Sequence, residues 1–248
     1  MNNRPLFEQE SFTNDSTPHF PCPHCKQGYY KPIQKLIKGT ESDHSESPNI
    51  EYVGTTILKC NHCKHSIAMI AEVTADVEIE DVTSDGEKTF LYQTFIKPIV
   101  FYPPLHIIPC EPPVPLKIRI QLEQSFTLFF YAPDVCANSL RKIIELILTD
   151  LKVPQKDKKG KPYKLHDRIE KLKERNKRHG DYFEAVKWLG NEGSHKNHRK
   201  NNISKTDILD AYELLEILLN KYYYSKQQEE TCKHKSERLT SKFKTHKS

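Results

Sequence analysis

The sequence predicts an α+β fold, in which an N-terminal antiparallel sheet precedes a C-terminal bundle of about five helices. Three observations support this prediction. Residues 29–101 are rich in β-branched and aromatic residues and are divided by polar segments, as in a series of strands. The run YPPLHIIPCEPPVP at 102–115 has six prolines in 14 residues, which excludes a helix or a central strand. Beyond it, apolar residues recur with the period of an α-helix.

Four cysteines form two Cys-x-x-Cys pairs, Cys22 with Cys25 and Cys60 with Cys63, separated by 34 residues. Such pairs supply four thiolates, which match the tetrahedral coordination of Zn²⁺. The pattern predicts one structural zinc ion in a zinc ribbon, a closed site that stabilises the fold and performs no chemistry. Disulfides are the alternative, but a bridge across two residues is strained and the chain has no secretory leader.

Three histidines lie on or beside these pairs: His24, His62 and His65. An imidazole could replace one thiolate, but four cysteines already complete the coordination, so the histidines are predicted to be bystanders. The remaining three cysteines follow no spacing pattern and receive no role: Cys110, Cys136 and Cys232. Free thiols of this kind are typical of a reducing compartment.

The net charge of +5 is unevenly distributed along the chain. Residues 1–151 carry 13 basic and 19 acidic groups, whereas residues 152–248 carry 25 basic and 14 acidic groups. Most of the basic excess lies in residues 152–200 and in the tail 226–248. An anionic partner is therefore expected at the C-terminal half, and RNA and DNA are candidates.

The chain is predicted to be cytoplasmic and to have no membrane span. Its longest apolar stretches, such as SIAMIAEV and IIELIL, are far shorter than the roughly 20 residues needed to cross a bilayer. The N-terminal sequence MNNRPLFEQE lacks the basic and apolar regions of a signal peptide.

Changes in composition divide the chain into five predicted regions. These are a flexible arm at 1–20, a zinc-ribbon β module at 21–102, a proline-rich linker at 103–115, a helical domain at 116–225 and a basic tail at 226–248. The tail has no apolar period and is predicted to be disordered or to extend the last helix.

The apolar period predicts five helices. They are expected at 116–130, 135–151, 165–176, 181–190 and 204–224. The fourth is predicted to end at Gly190. The fifth has the clearest start signal, with Ser204 or Thr206 as the N-cap.

Residues 187–200, KWLGNEGSHKNHRK, have an unusual composition for a plain connector. Gly190 and Gly193 permit turns, Asn191 can bond exposed backbone, and His195 could transfer a proton near neutral pH. Alternatively, Asn191 and His195 tie down the end of a helix. Elsewhere the common catalytic patterns are missing, since the sequence contains no GxGxxG, GxxxxGK[ST], HExxH or GxSxG.

Several segments of the helical region carry a family resemblance. Arg141-x3-Glu145 on the second helix, residues 165–172 on the third, and WLGNEGSH before the last resemble the bacterial domain-of-unknown-function family 4145. The likeness is predicted to cover most of residues 20–225, because that family often has an N-terminal Cys-x-x-Cys zinc ribbon. The family looks like a relative of HEPN helical bundles. The resemblance therefore implies a zinc ribbon followed by a HEPN-like bundle.

Many HEPN domains are metal-independent ribonucleases or paired partners in toxin and phage-defence systems. The nucleases use Arg-x4–6-His, in which the arginine stabilises phosphate charge and the histidine moves a proton. This chain departs from that pattern, because no arginine precedes His195 at the required spacing. The candidate catalytic residues are therefore His195, Asn191, Arg141 and Glu145, which could converge in the bundle. Alternatively, Arg141 and Glu145 form an ion pair on one helix.

The missing arginine favours a non-catalytic binding or regulatory module. In this hypothesis the chain belongs to a prokaryotic defence or nucleic-acid-processing system and engages a partner protein or nucleic acid. The alternative is a divergent metal-independent HEPN-type endoribonuclease that uses His195. A third reading is an assembly subunit whose basic tail docks on an acidic partner. The resemblance also implies a homodimer. The tyrosines at 222–224 are predicted to be exposed and are the candidate contact.

Overall fold

The computed structural model describes residues 3–13, 16, 18–33, 37–38, 50–82, 88–194 and 202–244. Contacts divide the chain into two compact units. One comprises Asn2–Ile107 and Ser125–Pro133, and the other comprises Ile108–Gln124 and Asp134–Ser248. The first contains the strands and the second contains most of the helical residues. This arrangement confirms the predicted α+β class.

The N-terminal unit is built on an antiparallel sheet. Its strands are β1 (Phe12–Thr13), β2 (Tyr30–Pro32), β3 (Ile37–Lys38), β4 (Ile50–Cys60), β5 (Ser66–Val82) and β6 (Lys88–Tyr102). They are ordered β1-β6-β5-β4-β2, and β3 pairs with another part of β4. The three long strands lie where the sequence predicts them, because their β-branched and aromatic content is uninterrupted.

Alternating burial shows which face of the sheet lies on the core. In β5 the apolar side chains of Ile67, Met69, Ala71 and Val73 are all buried, in register with the strand period of two. The same alternation continues along β4 to its last residue, Cys60, which is also buried. The sheet therefore positions one of the four paired cysteines directly.

Several of the described residues within 1–20, the range predicted as a flexible arm, belong to secondary structure. They form a short helix, α1 (Arg4–Glu8), and the edge strand β1. Phe7, Phe12 and Phe20 are buried, and the ring centroids of Phe7 and Phe20 are 5.8 Å apart. These aromatic residues show no periodicity in the sequence, so their burial could not be predicted from it.

After α1, the described part of the chain contains six α-helices. They are α2 (Leu116–Leu128), α3 (Pro133–Asp150), α4 (Leu165–Lys173), α5 (Lys177–Ser194), α6 (Lys205–Leu219) and α7 (Ser225–Lys244). A π-helical turn at Asn220–Tyr224 joins α6 to α7. The five predicted helices correspond to α2–α6. Residues 226–244 of the tail belong to α7, which agrees with the helical alternative for this part of the tail.

The start of α6 follows the sequence signal closely. The side chain of Ser204 accepts a hydrogen bond from the backbone N–H of Asp207 at 3.1 Å, and the Asp207 carboxylate accepts one from the Ser204 N–H at 2.8 Å. This capping box satisfies two backbone donors at the helix start. The large apolar residues that recur with the helical period in α6 are buried: Ile208, Leu209, Tyr212, Leu215, Leu218 and Leu219.

Candidate functional site

The two Cys-x-x-Cys pairs lie on matching loops of the N-terminal unit. The N–H of Cys22 donates to the carbonyl of Gly28 at 2.9 Å, and the N–H of Cys60 donates to the carbonyl of His65 at 2.8 Å. Tyr30 in β2 pairs with Cys60 at the end of β4. The sheet register therefore places the two loops side by side.

A lysine follows each pair and adopts the same backbone conformation. Lys26 has φ +57° and its N–H donates to the Cys22 carbonyl at 3.0 Å. Lys64 has φ +65° and its N–H donates to the Cys60 carbonyl at 3.2 Å. The left-handed residue reverses the chain after each second cysteine, so both sulfur atoms of a pair face the same point.

The four sulfur atoms form a compact group. All lie within 4.8 Å of one another, and the Cys22–Cys63 and Cys25–Cys60 Sγ–Sγ distances are both 3.7 Å. None of these cysteines forms a disulfide. A tetrahedral ion with bonds of about 2.3 Å to sulfur requires sulfur atoms about 3.8 Å apart. The cluster could therefore hold a metal ion.

Hydrogen bonds from the backbone lower the pKa values of these thiols, whereas burial raises them, and the neighbouring sulfur atoms compete for the negative charge. A hydrogen bond from the Gln27 backbone lowers the pKa of Cys25 to about 5. Burial opposes ionisation of Cys60, but hydrogen bonds from the Cys63 and other backbone groups lower its pKa on balance. The His65 backbone favours the Cys63 thiolate, yet burial and bonds with the neighbouring sulfurs raise its pKa to about 12. A divalent cation among the sulfurs would remove this mutual repulsion.

The surroundings of the cluster are tightly packed. A Cβ on Gly28 would lie 2.6 Å from the Cys60 sulfur, so only glycine fits there. The buried Tyr30 hydroxyl lies 3.7 Å from the Cys22 sulfur and 2.8 Å from Nδ1 of His65. The His24 and His65 rings stack 5.1 Å apart. These histidines therefore flank the sulfur group, and the four cysteines form it.

In the helical unit, α5 continues through Gly190 and Gly193 to Ser194. The prediction that Gly190 ends the helix is therefore wrong. A Cβ on Gly190 would lie 2.5 Å from Cβ of Arg141, and a Cβ on Gly193 would overlap the carbonyl oxygen of Asp134. The two glycines are needed because α5 approaches the backbone of α3 closely, and not because they form turns.

Two of the four candidate catalytic residues pair with each other on α3. Nε of Arg141 lies 3.6 Å from Oε1 of Glu145, at an i,i+4 spacing on a partly exposed surface. Asn191 lies in the last turn of α5 beside Gly190. His195 lies outside the described residues. The ion pair predicted as the alternative is therefore present, and a meeting of these side chains with His195 stays a prediction.

Residues 123–242 match the model of a family described as Domain of unknown function (DUF4145). We call this matched region, which is slightly less than half of the chain, the DUF4145 domain. The sheet matches a different family, described as Domain of unknown function (DUF8608), over residues 10–101. The DUF4145 likeness is thus confirmed, but it does not extend to residue 20 as predicted. No curated protein and no solved structure matches the chain.

A lysine-rich loop of the DUF4145 domain joins α3 to α4. It carries six exposed lysines, at positions 152, 156, 158, 159, 161 and 164. The only carboxylate in the loop, Asp157, accepts hydrogen bonds from the backbone N–H groups of Lys159 at 2.8 Å and Lys161 at 2.9 Å. Because this acid holds the turn, the lysines are displayed on an ordered backbone.

The tyrosines at 222–224 of the DUF4145 domain bond within the chain. The Tyr222 hydroxyl lies 2.8 Å from Nδ1 of His179, and the Tyr223 hydroxyl donates to Asp150 at 3.0 Å. The Tyr224 hydroxyl donates to the carbonyl of Glu111 at 3.3 Å. The prediction that these tyrosines are exposed is wrong, because the π-helical turn directs the three rings towards three different elements. The homodimer itself stays a prediction.

The DUF4145 domain contains a second group of polar side chains that the sequence does not predict. His166, Glu170 and Glu184 lie within reach of one another, but Lys173 contacts both glutamates and Lys187 lies 3.4 Å from Glu184. Hydrogen bonds from Lys173 lower the pKa of Glu184. The two ammonium groups already balance the carboxylates, so this group is an ion network between α4 and α5. The residues of this network are not grouped in a short motif, whereas the cysteines form two Cys-x-x-Cys pairs.

Among the described residues, no helix combines the length and the apolar character that crossing a bilayer requires.

Proposed function

We propose that the chain is a non-catalytic binding module of a prokaryotic defence or nucleic-acid-processing system. One zinc ion, held by Cys22, Cys25, Cys60 and Cys63, stabilises the sheet. The basic DUF4145 domain engages nucleic acid. The observation that carries this proposal is the ordered loop with six exposed lysines and a single carboxylate.

Zinc is favoured by the chemistry of the donors. Four sulfur ligands in a closed tetrahedral set are typical of structural zinc and leave no position for a substrate. The cysteines would bind the ion as thiolates, and the Gly28 and Tyr30 packing would keep them aligned. When bound, the ion contributes folding free energy and no reaction chemistry.

The lysine loop suits phosphate binding for two physical reasons. Its cations are exposed, so they can release condensed counterions from a phosphate backbone. Its backbone is also ordered by hydrogen bonds that involve Asp157, Gln155 and Val153. In one of these, the Tyr163 N–H donates to the Gln155 carbonyl at 2.9 Å. Binding therefore costs less conformational entropy than it would for a disordered lysine tract.

We expect nucleic-acid affinity to fall when Lys158, Lys159 and Lys161 are replaced by glutamine. The loss should be roughly 10- to 100-fold at low salt, and the slope of log K against log salt should fall by about 2 to 3. Fluorescence anisotropy with labelled RNA and DNA measures both quantities. A matched control replaces three exposed lysines of the sheet, and it should retain affinity: Lys31, Lys59 and Lys97. Equal losses in both variants, or no binding by the wild type at low salt, would count against the proposal.

A divergent ribonuclease is the second candidate, favoured by one observation. Arg141 packs against Gly190, next to Asn191, and its Nε lies 3.6 Å from Oε1 of Glu145, beyond hydrogen-bond distance. The guanidinium group is therefore close to the segment that leads to His195, and Arg141 could supply the cation that is missing upstream of His195.

We expect His195→Ala to lower stability by about 1–3 kcal/mol, as for a side chain that ties down a helix end, with no activity lost. Wild-type protein should then leave RNA intact in the presence of a chelator. In a nuclease, the same substitution would lower the cleavage rate by roughly 10²–10⁴ with the fold unchanged. An RNA cleavage assay combined with a thermal melt distinguishes the two. Metal-independent cleavage that disappears in an equally stable variant would establish the ribonuclease.

A further inference from the structure

Helix α7 is exposed along nearly its whole length. It contains no buried residue, and positions 226–244 are all exposed. At 20 residues it is about 30 Å long. Its start is held by the Tyr223 and Tyr224 hydrogen bonds of the π-helical turn. A helix without a packed face is only marginally stable alone, so a partner on one face would stabilise it.

The charges of α7 separate by face. At 3.6 residues per turn, Lys235, Arg238 and Lys242 fall within a sector of about 60°, which we call the basic face. The acidic residues fall on the opposite half: Glu229, Glu230 and Glu237. The basic face therefore contains none of the carboxylates of α7.

The opposite half of α7 has an equal number of cations, but it also carries the three glutamates. Lys226, Lys233 and Lys244 fall in one narrow sector, among the three glutamates. Lys233 lies 3.9 Å from the Glu237 carboxylate. Both faces of the helix therefore carry three cations, but only the second face also carries carboxylates. We call this second face, which contains Lys226, Lys233 and Lys244, the compensated face.

We infer that the basic face of α7 binds the phosphate backbone of nucleic acid. This inference rests on the proposed function and adds a second contact to the lysine loop. Lys235 and Lys242 are seven residues apart, or about 10 Å along the helix. Phosphates follow one another about every 3.4 Å along the axis of each DNA strand. Three cations therefore face about three consecutive phosphates.

One further feature favours nucleic acid as the occupant. Phe243 is 61% exposed beside Lys242, where an aromatic ring can stack on an unpaired base. The cleft beside Lys152 is lined from α7 by Lys226, Gln227 and Glu230, so the basic face is a contact separate from that cleft.

A membrane surface is the competing occupant of a basic helix. Interfacial helices bury a broad apolar face rich in large side chains. The apolar stripe of α7 has only two large residues, Leu239 and Phe243, and continues towards the start of the helix with Ser236, Cys232 and Gln228. This stripe is too narrow and polar for that mode of binding.

The test compares two triple variants of the full-length chain. The first is Lys235→Gln, Arg238→Gln and Lys242→Gln on the basic face. The second is Lys226→Gln, Lys233→Gln and Lys244→Gln on the compensated face. Both remove three charges from one helix. Anisotropy is measured with a labelled RNA single strand and a DNA duplex across a salt series, and far-UV circular dichroism monitors helix content.

We expect the basic-face variant to lose roughly 10- to 100-fold in affinity at low salt, with the salt slope reduced by about 2.7 for duplex DNA and about 2.1 for a single strand. The compensated-face variant should stay within about threefold of the wild type. A third variant, Lys235→Arg, Arg238→Lys and Lys242→Arg, keeps the charges and should keep the affinity even if the glutamine variant loses helix content.

Three results overturn the inference. If the wild type binds and both glutamine variants lose equally, the effect is one of net charge, and the proposed function survives without a role for this face. If the wild type binds neither nucleic acid at about 50 mM salt, the proposed function fails as well. If only binding to vesicles with anionic lipid depends on the basic face, the occupant is a membrane surface.

Discussion

Replacing Cys60 with serine is expected to abolish metal binding and to unfold the N-terminal sheet. Cys60 is the last residue of β4, is buried, and lies 3.7 Å from the sulfur of Cys25. Because metal binding and folding are coupled in such sites, removal of one thiolate should cost at least about 3 kcal/mol. Metal analysis of the wild type should give one zinc ion per chain, and the variant should give less than one.

The exposed Cys232 provides the control, since Cys232→Ser removes a thiol outside the cluster and should change neither zinc content nor melting temperature. Circular dichroism should show that Cys60→Ser keeps most of its helical signal. A wild-type protein that contains no metal, or one that keeps its melting temperature after chelation, would refute the zinc assignment.

Gly193→Ala is expected to destabilise the helical unit by about 1–3 kcal/mol. In an unhindered helix this change would stabilise by up to about 1 kcal/mol, since alanine is the better helix former. Here the new methyl group would overlap the carbonyl oxygen of Asp134 and approach Ala137 at 3.2 Å. A decrease in the free energy of unfolding would therefore indicate that α5 lies close to α3, and an increase would indicate that it does not.

Chemical denaturation of Gly193→Ala measures the free energy of unfolding. Glu192→Ala is the matched control, because Glu192 is an exposed neighbour in the same turn and its loss should change stability by no more than about 0.5 kcal/mol. Gly190→Ala should behave like Gly193→Ala, since its Cβ would meet Arg141. An increase in stability for either glycine variant would contradict the packing of α3 and α5 described here.

The parts of the fold that the sequence predicts are those specified by local patterns. The long strands β4, β5 and β6, the capped helix α6 and the paired cysteines each have a signal within a short window. The two cysteine loops lie side by side because Tyr30 pairs with Cys60, a contact between residues that are distant in sequence. Cysteine spacing predicts that contact only because metal chemistry requires it.

The features that the sequence does not predict depend on contacts between distant segments. Glycine in the segment 187–200 suggests a turn when it is read locally, but in the fold it allows α5 to contact α3. The tyrosines at 222–224 resemble an exposed patch until their partners Asp150, His179 and Glu111 are known. Phe7 is buried by residues that are distant in sequence, and no periodic pattern of apolar residues predicts its burial.

The π-helical turn at Asn220–Tyr224 also determines the direction in which α7 presents its side chains. Each residue of an α-helix advances the angular phase by about 100°. A π turn contains about one more residue than an α turn, so α7 leaves the bundle out of phase with a regular continuation of α6. A single-residue insertion or deletion in this turn would rotate the direction of the basic face and leave its three cations unchanged. The direction of the basic face therefore depends on the number of residues between α6 and α7 as well as on the residues of α7 itself.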